Sequence, residues 1–510
     1  MKKISLILTV LLMVCLTGCG GSKKNTPSII YDDLKSAALE PVDIVIYAHG
    51  TIPSNVKDAV AGMLEQISLA TRETINVYPH FEWVAYELFD AKIPAVIAAD
   101  EKIDAFTCYA IGPFVEQNLC LDVTSSFKQH APTYYNELMT NDLGRDYLTD
   151  CTADGKLYAV PYNGISNPRA CVIAKEDLAK KYAPDGLETM EDYGEFLKRV
   201  KENEQGIVPG LVYSYEFLQA YMEGNGYYTS MASFVYSRWD QNGEGLYALE
   251  QTPEFMDAYE LLQLWKSRGY ILKNNQEEGR YPITGKSLAS MLVPMNSVSD
   301  RFTYSHIEND ARLKVIPLYM QSLHYINSFA QSVAVSRTCE NPERLMMFME
   351  WLHNSQKNYD LFMYGQEGVN YVLKNGSMDI SQTELKALGL WKYMGAGFFQ
   401  DYRYERVIAN VDADFRQIYL DSSFKNVRTK GELKEQIQER REMNEVNMGE
   451  LEKQYPAVSA AMDKYYSNLE KFTQAIDNGS FNMTTDDLKE KQKESGIEQA
   501  LKLFQKELGF

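Results

Sequence analysis

The sequence predicts an α/β protein of two lobes joined by hinge strands, with a helical carboxyl-terminal extension. Three observations carry that expectation. Apolar, β-branched runs alternate with helix-periodic stretches between residues 42 and 107, the pattern of parallel strand–helix–strand units. Two extended runs, 157–160 and 313–316, each stop at a proline, Pro161 and Pro317, and bracket the middle of the chain. Beyond residue 431 the pattern turns charged and helical.

The amino end reads as an export segment. Lys2 and Lys3 precede an apolar core over 4–16, shorter than the ~20 residues that span a bilayer. Leu16-Thr17-Gly18-Cys19 resembles a bacterial lipobox, which makes 1–18 a signal peptide and Cys19 the lipidated residue. A plain secretory signal cleaved elsewhere is the alternative. Residues 19–39 are assigned to a tether held at the membrane through that lipid, since 20–28 are small and polar.

Residues 42–47, Val-Asp-Ile-Val-Ile-Tyr, read as a buried strand stopping at His49-Gly50. Ser54 or Asn55 caps a helix over 56–69. A second strand is expected at 75–78, a helix over 86–99 interrupted at Pro94, and a third strand over 103–107 ending at Cys108-Tyr109. Ligands of such sheets sit outside the carboxyl ends of the strands, which singles out 49–51 and 108–110. In 155–163 a polar turn leads to an extended run and Pro161, which fixes φ and removes a ladder donor. Tyr162 and Asn163 are the first groups past that stop.

Further strands are expected at 170–174 and 207–213, and helices at 176–182, 189–200, 216–228 and 252–266. Residues 286–289 read as helical and 290–293 as a strand ending at Pro294-Met295-Asn296. The run 313–318 repeats the extended-then-proline pattern, 332–336 is a strand, and Asn341-Pro342-Glu343 opens a helix to 353. One lobe is then 40–163 with about 314–353, and the other 164–313 with about 354–430. Helices over 432–455, 458–476 and 485–508 fill the carboxyl-terminal region, 431–510.

Composition narrows the function. Tyrosine, with 35 copies against 21 phenylalanines, is an aromatic with a polar tip that suits half-exposed cleft walls as well as cores. A net charge of −19 argues against a nucleic-acid partner. Beyond Cys15 and Cys19 stand Cys108, Cys120, Cys151, Cys171 and Cys339, an odd set that leaves at least one thiol free. Their wide spacing indicates neither a zinc site nor a disulfide framework, with one or two disulfides in the first lobe left open. No metal or cofactor motif is read among the histidines.

In this order the motifs resemble a family. The lipobox, the early strand–helix units, DGKLYAVPYN at 154–163, GKSLASM at 285–291, KVIPL at 314–318 and VAVSRTCENPERLMMFMEWL at 333–352 are similar to extracellular solute-binding proteins of the maltose-binding type. YDLFMYGQEGVNYVL at 359–373 and SGIEQALKLFQKEL at 495–508 resemble the lipoprotein branch with an extended helical end. The resemblance implies a type II periplasmic-binding-protein-like fold that closes on a saccharide, and an ABC transporter permease as partner to a monomeric receptor. Cys108-Tyr109 and Met295-Asn296 lack the tryptophans that stack on sugar in the maltose binder.

Candidate ligand-binding residues come from strand ends and crossovers: His49, Tyr109, Tyr162, Asn163, Tyr213, Tyr215, Trp239, Asn296, Asn327 and Glu367. Core packing or a solvated loop is the ordinary alternative for each. Trp83, Trp265, Trp351 and Trp391 lie in helix-like patterns and read as core. A glycoside-processing enzyme is the rival class, needing two carboxylates about 5–10 Å apart. With 70 acidic residues such pairs arise by chance, and no nucleophile motif supports it. A peptide- or polyamine-binding lipoprotein, or a scaffold lipoprotein, is the other alternative.

Overall fold

Two mixed sheets, one per lobe, organise the chain in a computed structural model that describes residues 39–54, 57–165, 169–229, 235–238, 245–275, 277, 287–295, 298, 312–322, 324–326, 331–379, 395–407, 411, 414–424, 427–429, 455–480 and 482–508. The expected signal peptide, Cys19, nearly all of the expected tether, Trp239, Asn296, Asn327, Trp391 and the helix expected over 432–455, bar Tyr455, lie outside these residues.

The first lobe opens with β1 (Val42–His49), α1 (Lys57–Ile75), β2 (Val77–Val84), α2 (Tyr86–Ala98) and β3 (Ala105–Cys108). Helix α1 buries Val60, Met63, Ile67, Thr71 and Ile75, a stripe at helical spacing against the sheet. Because Ile75 still belongs to that stripe, the second strand starts two residues later than expected and runs to Val84. Trp83 is therefore on a strand, half-buried, and not in a helix. β1 pairs in parallel with β2, from Val42↔Val77 to His49↔Val84, and with β3. β2 is the edge strand of its sheet, where Pro79 leaves no interior ladder bond unmade. Pro94 does not interrupt α2; buried Phe89, Ile93, Val96 and Ile97 hold the helix through it.

Short helices that the sequence did not reveal come next: α3 (Gly112–Glu116), α4 (Thr124–His130), α5 (Pro132–Leu138) and α6 (Asp142–Asp150). The hairpin of β4 (Thr152–Ala153) and β5 (Lys156–Leu157) turns through Asp154 and Gly155, both at positive φ. β6 (Ala159–Pro161) closes the first sheet, and the chain then enters the second as β7 (Ala170–Lys175). Helices α7 (Glu176–Tyr182) and α8 (Met190–Asn203) follow, the latter opened by the Thr189–Asp192 capping box. β8 (Val208–Leu211) leads to α9 (Ser214–Gly224), which ends earlier than expected because Tyr227 begins a strand. β9 (Tyr227–Thr229), β10 (Val235–Arg238) and β11 (Tyr247–Ala248) form a small antiparallel sheet, and α10 (Glu254–Arg268) carries the buried Trp265.

β12 (Leu288–Pro294) already includes Leu288 and Ala289, which the sequence placed in a helix. It and β13 (Leu313–Pro317) flank β7 antiparallel on either side, giving the order β13-β7-β12-β8. Past β14 (His324–Ile326) the chain returns as β15 (Ser332–Val335), between β3 and β6 in the order β2-β1-β3-β15-β6. Both proline-ended runs are thus places where the chain passes between sheets.

Residues 356–379 and 395–407, expected in the second lobe, pack on the first. α11 (Pro342–His353), with Trp351 buried in it, lies on α1, α4 and α5, and α12 (Gln356–Tyr364) lies on α1 and α11. Phe362 and Phe399 come within 5.1 Å of each other and 6.1 Å of Phe81 on β2. The reason is aromatic burial that a break at residue 353 would expose. After the hairpin β16 (Val372–Lys374) and β17 (Ser377–Asp379) the chain reaches Asp401, which bridges Asn163, and then Val411, which bridges Leu313 in the second sheet. This is a third crossing. α13 (Phe415–Phe424) then packs on β13, and β18 (Val427–Thr429) pairs with β14.

α14 (Pro456–Asp477), α15 (Thr485–Ser495) and α16 (Ile497–Leu508) cover the second lobe, with Tyr465, Leu469 and Phe472 buried among α9 and α10 residues. Gly496, in the left-handed region, divides the single helix expected over 485–508. All five cysteines of the folded part are free and buried, so the disulfides left open by the sequence are not formed.

Candidate functional site

β1 and β2 end in register at His49 and Val84, and β3 ends beside them at Cys108. The residues just past these ends meet. Tyr86 is the first residue of α2 and Tyr109 follows β3 directly. Their rings lie 5.1 and 5.3 Å from the His49 imidazole, centroid to centroid. Phe89 stacks on the imidazole at 3.5 Å, and Phe398 stacks on it at 5.4 Å while lying 4.8 Å from Tyr109.

The group has a floor and an open face. His49, Phe89 and Phe398 are buried, whereas Tyr86 and Tyr109 are 47% and 46% exposed, with Leu88 beside them 63% exposed. His49 is fixed by Thr107, whose Oγ1 accepts its backbone N–H at 3.0 Å and lies 2.8 Å from Nδ1. Burial lowers the imidazole pKa to about 4, so the ring is neutral at pH 7. Burial first, and then a hydrogen bond shared with Tyr86, raise the Tyr109 hydroxyl above its ordinary range. The result is a neutral aromatic wall edged by two hydroxyls.

The sheet edge continues through β15, whose antiparallel course brings Ser332 opposite both Cys108 and Pro161. Ser332 Oγ lies 3.1 Å from Cys108 Sγ. Burial pushes that thiol up to about 12, which leaves it protonated and unreactive.

Tyr162 and Asn163 do not line an open wall. Tyr162 turns into the helical layer, its ring 4.9 Å from Tyr147 and its hydroxyl 3.2 Å from the Tyr147 hydroxyl. The chain folds back over it so closely that a Cβ on Gly164 would meet the ring at 2.4 Å. Asn163 is buried and held by the third crossing: its N–H donates to the Gln400 carbonyl, its carbonyl accepts from Tyr402 N–H, and Nδ2 donates to Asp401. Asp401 also accepts from Arg403 Nε and Nη2, at 2.9 and 2.6 Å, and lies 3.2 Å from His353 Nδ1. Burial opposes the Asp401 charge, but Arg403 and His353 together hold its carboxyl below the usual range.

The matching edge of the second lobe is formed by the ends of β8 and β12 and the start of β7. Tyr213 stands there at the cap of α9, half-buried, and Tyr215 in its first turn, 37% exposed. Arg169, fully buried between the crossovers, donates to the Tyr319 carbonyl at 2.5 Å and to the Ser422 carbonyl at 3.2 Å. Each lobe thus carries aromatic residues just past its strand ends, Tyr213 and Tyr215 on one and the His49 group on the other.

Residues 82–369 match the family described as bacterial extracellular solute-binding protein. The chain belongs to that family. This solute-binding protein, an extracytoplasmic binder and not an enzyme, has similar folds among solved structures. One is the N-glycan transport solute-binding protein NgtS of Streptococcus pneumoniae, with TM-score 0.63 and 16% identity over 92% of this chain and 98% of that one. A human-milk-oligosaccharide (HMO) binding, ABC-transporter-associated protein of Bifidobacterium longum infantis gives 0.54 and 12%, over 92% and 98%. The alginate-binding protein AlgQ2, without calcium ion, gives 0.52 and 15%, also over 92% and 98%. These likenesses establish the two-lobe periplasmic-binding-protein-like fold. The sequence has no match among curated proteins. No helix among the described residues is long and apolar enough to cross a membrane.

Of the residues nominated from the sequence, the fold brings His49 and Tyr109 together, sets Tyr213 and Tyr215 on the other lobe, and leaves Glu367 on an exposed turn bridged to Tyr371. Tyr86 and Phe398 were missed. Tyr86 lies two residues past the true end of β2, so a strand read to Val84 exposes it. Phe398 reaches the site from the segment before the third crossing, and no local pattern announces that.

Proposed function

We propose that this protein is a lipid-anchored receptor that captures a saccharide, in particular an oligosaccharide, between its lobes and delivers it to an ABC transporter permease. The observation that carries the reading is the aromatic group of His49, Tyr86, Tyr109 and Phe398 at the carboxyl ends of β1 to β3. Sugar rings present apolar faces that pack on aromatic faces, and hydroxyls that need polar partners, which tyrosine supplies together. A neutral wall with an uncharged imidazole suits a neutral ligand.

The neighbouring structures support the same class: NgtS is described in complex with Man1GlcNAc and with Man5GlcNAc, and others as milk-oligosaccharide and alginate binders. Anchoring rests on the lipobox ending at Cys19 and delivery on the family and on the ABC-transporter-associated relative; a monomeric receptor is part of the same proposal.

A thermal-shift screen of the protein lacking its signal peptide tests the reading. Mannosyl-N-acetylglucosamine glycans, milk oligosaccharides and alginate oligosaccharides form the panel, with peptides and polyamines as controls. One glycan raises the midpoint, by the mass-action stabilisation that a bound ligand gives. A peptide or polyamine moving it while every glycan fails overturns the saccharide reading; breakdown of a glycan would point to the enzyme instead.

A further inference from the structure

We propose that Asp477, at the end of α14 in the carboxyl-terminal helical region, is a positioning residue for the second-lobe wall of the binding cleft. The proposal rests on the saccharide-receptor reading and gives the helical extension a part in ligand capture.

Three donors converge on one oxygen of this carboxylate. Asp477 Oδ1 accepts from Ser214 N–H at 2.9 Å and from Asn275 Nδ2 at 3.1 Å, and Ser214 Oγ lies 2.5 Å away. The Ser214 hydroxyl is also 3.1 Å from the Thr473 carbonyl, so it is enclosed by α14 whichever oxygen receives its proton. Ser214 is the first residue of α9, and Tyr213 at the cap offers no side-chain acceptor to the helix amides. An orphan first-turn N–H is therefore satisfied by an acidic side chain from 263 residues away, which also suits the positive end of the helix dipole.

The contact reaches both sides of Tyr213. Asn275 uses the same amide to donate to the Val212 carbonyl at 2.9 Å. Val212 and Ser214 are thus tied to one carboxylate, and the chain between them carries Tyr213, with Tyr215 one residue further on. The α14 end is itself pinned. Lys266 Nζ donates to the Ile476 carbonyl at 2.7 Å and to the Lys273 carbonyl at 3.1 Å. A Cβ on Gly479 would come within 2.9 Å of that Lys273 oxygen.

Docking alone does not call for this carboxylate. Tyr465, Leu469 and Phe472 already bury α14 against the second lobe. Burial raises the Asp477 carboxyl above its ordinary value, the sign of a charge held at a cost in desolvation. What it adds is direction at the cleft edge.

The full exported chain carrying Asp477→Ala or Asp477→Asn is compared with wild type by hydrogen exchange and by titration with the glycan that gives the largest shift in the panel. Asp477→Ala speeds exchange over residues 213–218 while the amides of 456–476 stay protected. It weakens glycan affinity about tenfold, the scale of one charge-assisted hydrogen bond, whereas Asp477→Asn, which keeps an acceptor for Ser214, loses about threefold or less. In a Tyr213→Ala, Tyr215→Ala background the effect of Asp477→Ala on affinity disappears, which a merely structural role would not produce.

Unchanged exchange at 213–218, unchanged affinity, or an equal loss in both backgrounds overturns the proposal. Should Asp477→Ala fail to fold, Asp477→Asn carries the same comparison: a loss confined to the two-tyrosine background's parent supports the role, and an equal loss in both rejects it. A wild type that binds no glycan overturns the receptor reading and this role together, and is recognised because the unmutated protein itself is silent.

Discussion

Asn163 donates its side-chain amide to Asp401 across 3.1 Å, and that contact ties the first crossing between the lobes to the third. Asp401 is fully buried and shared with Arg403 and His353, so Asn163 is one member of a satisfied polar cluster. Asn163→Ala removes a donor from a buried carboxylate. The expected cost is about 1–3 kcal/mol of stability, read from urea unfolding. A variant as stable as wild type with weakened glycan binding would mean instead that Asn163 faces the ligand.

The same contact marks what the sequence discloses. Pro161 and Pro317 announce two crossings because proline leaves a local sign in any chain. The third carries no such sign, since Asp401 is recognised only by partners at 163 and 353. The first-lobe strands were legible from β-branched runs, yet Ile75 went to the wrong element because a buried helix end and a strand start look alike. That small shift hid Tyr86. The carboxyl-end rule, which needs only strand ends, nominated His49 and Tyr109, whose rings meet, while a residue beyond a proline stop, such as Tyr162, can turn inward. Here it did, onto Tyr147.

Tyr86 and Tyr109 supply the open face of the aromatic wall. Each replaced by alanine loses one ring against a sugar face, and an aromatic contact contributes about 0.5–1.5 kcal/mol beyond its buried area. Glycan affinity should fall about three- to tenfold for each variant, measured by calorimetric titration. Tyr109→Phe keeps the ring and drops the hydrogen bond shared with Tyr86, so it should retain most of the affinity. Equal losses for Tyr109→Phe and Tyr109→Ala would assign the contribution to the hydroxyl rather than the ring.

His49 makes stability depend on pH in a defined direction. Burial lowers its folded-state pKa to about 4 from an ordinary 6.5. On acidification the unfolded chain takes up the proton first, so the folded state loses stability as pH falls from about 6.5 through about 4. Above that window the contribution is intact, and below it the loss levels off. His49→Gln removes the titrating group, so its urea midpoint should fall less steeply between pH 7 and pH 4 than that of wild type. Parallel curves would place the acid sensitivity elsewhere.

Gly395 decides where Phe398 stands. It has φ +93 and opens the single turn Ala396–Phe399 that brings Phe398 onto His49. A Cβ there would sit 2.7 Å from the Ala48 Cβ and 3.4 Å from the His49 carbonyl oxygen, both on β1. Gly395→Ala therefore carries a left-handed backbone penalty and a clash with the strand beneath the site. Gly376→Ala separates the two effects: it has φ +83, close to that of Gly395, but open space where its Cβ would point. Both variants should lose about 1 kcal/mol or more for the left-handed backbone. Only Gly395→Ala should lose glycan affinity as well, because relieving the clash lifts Phe398 away from His49 and Tyr109. Equal stability losses and unchanged affinity in both would show that the turn yields without moving the ring.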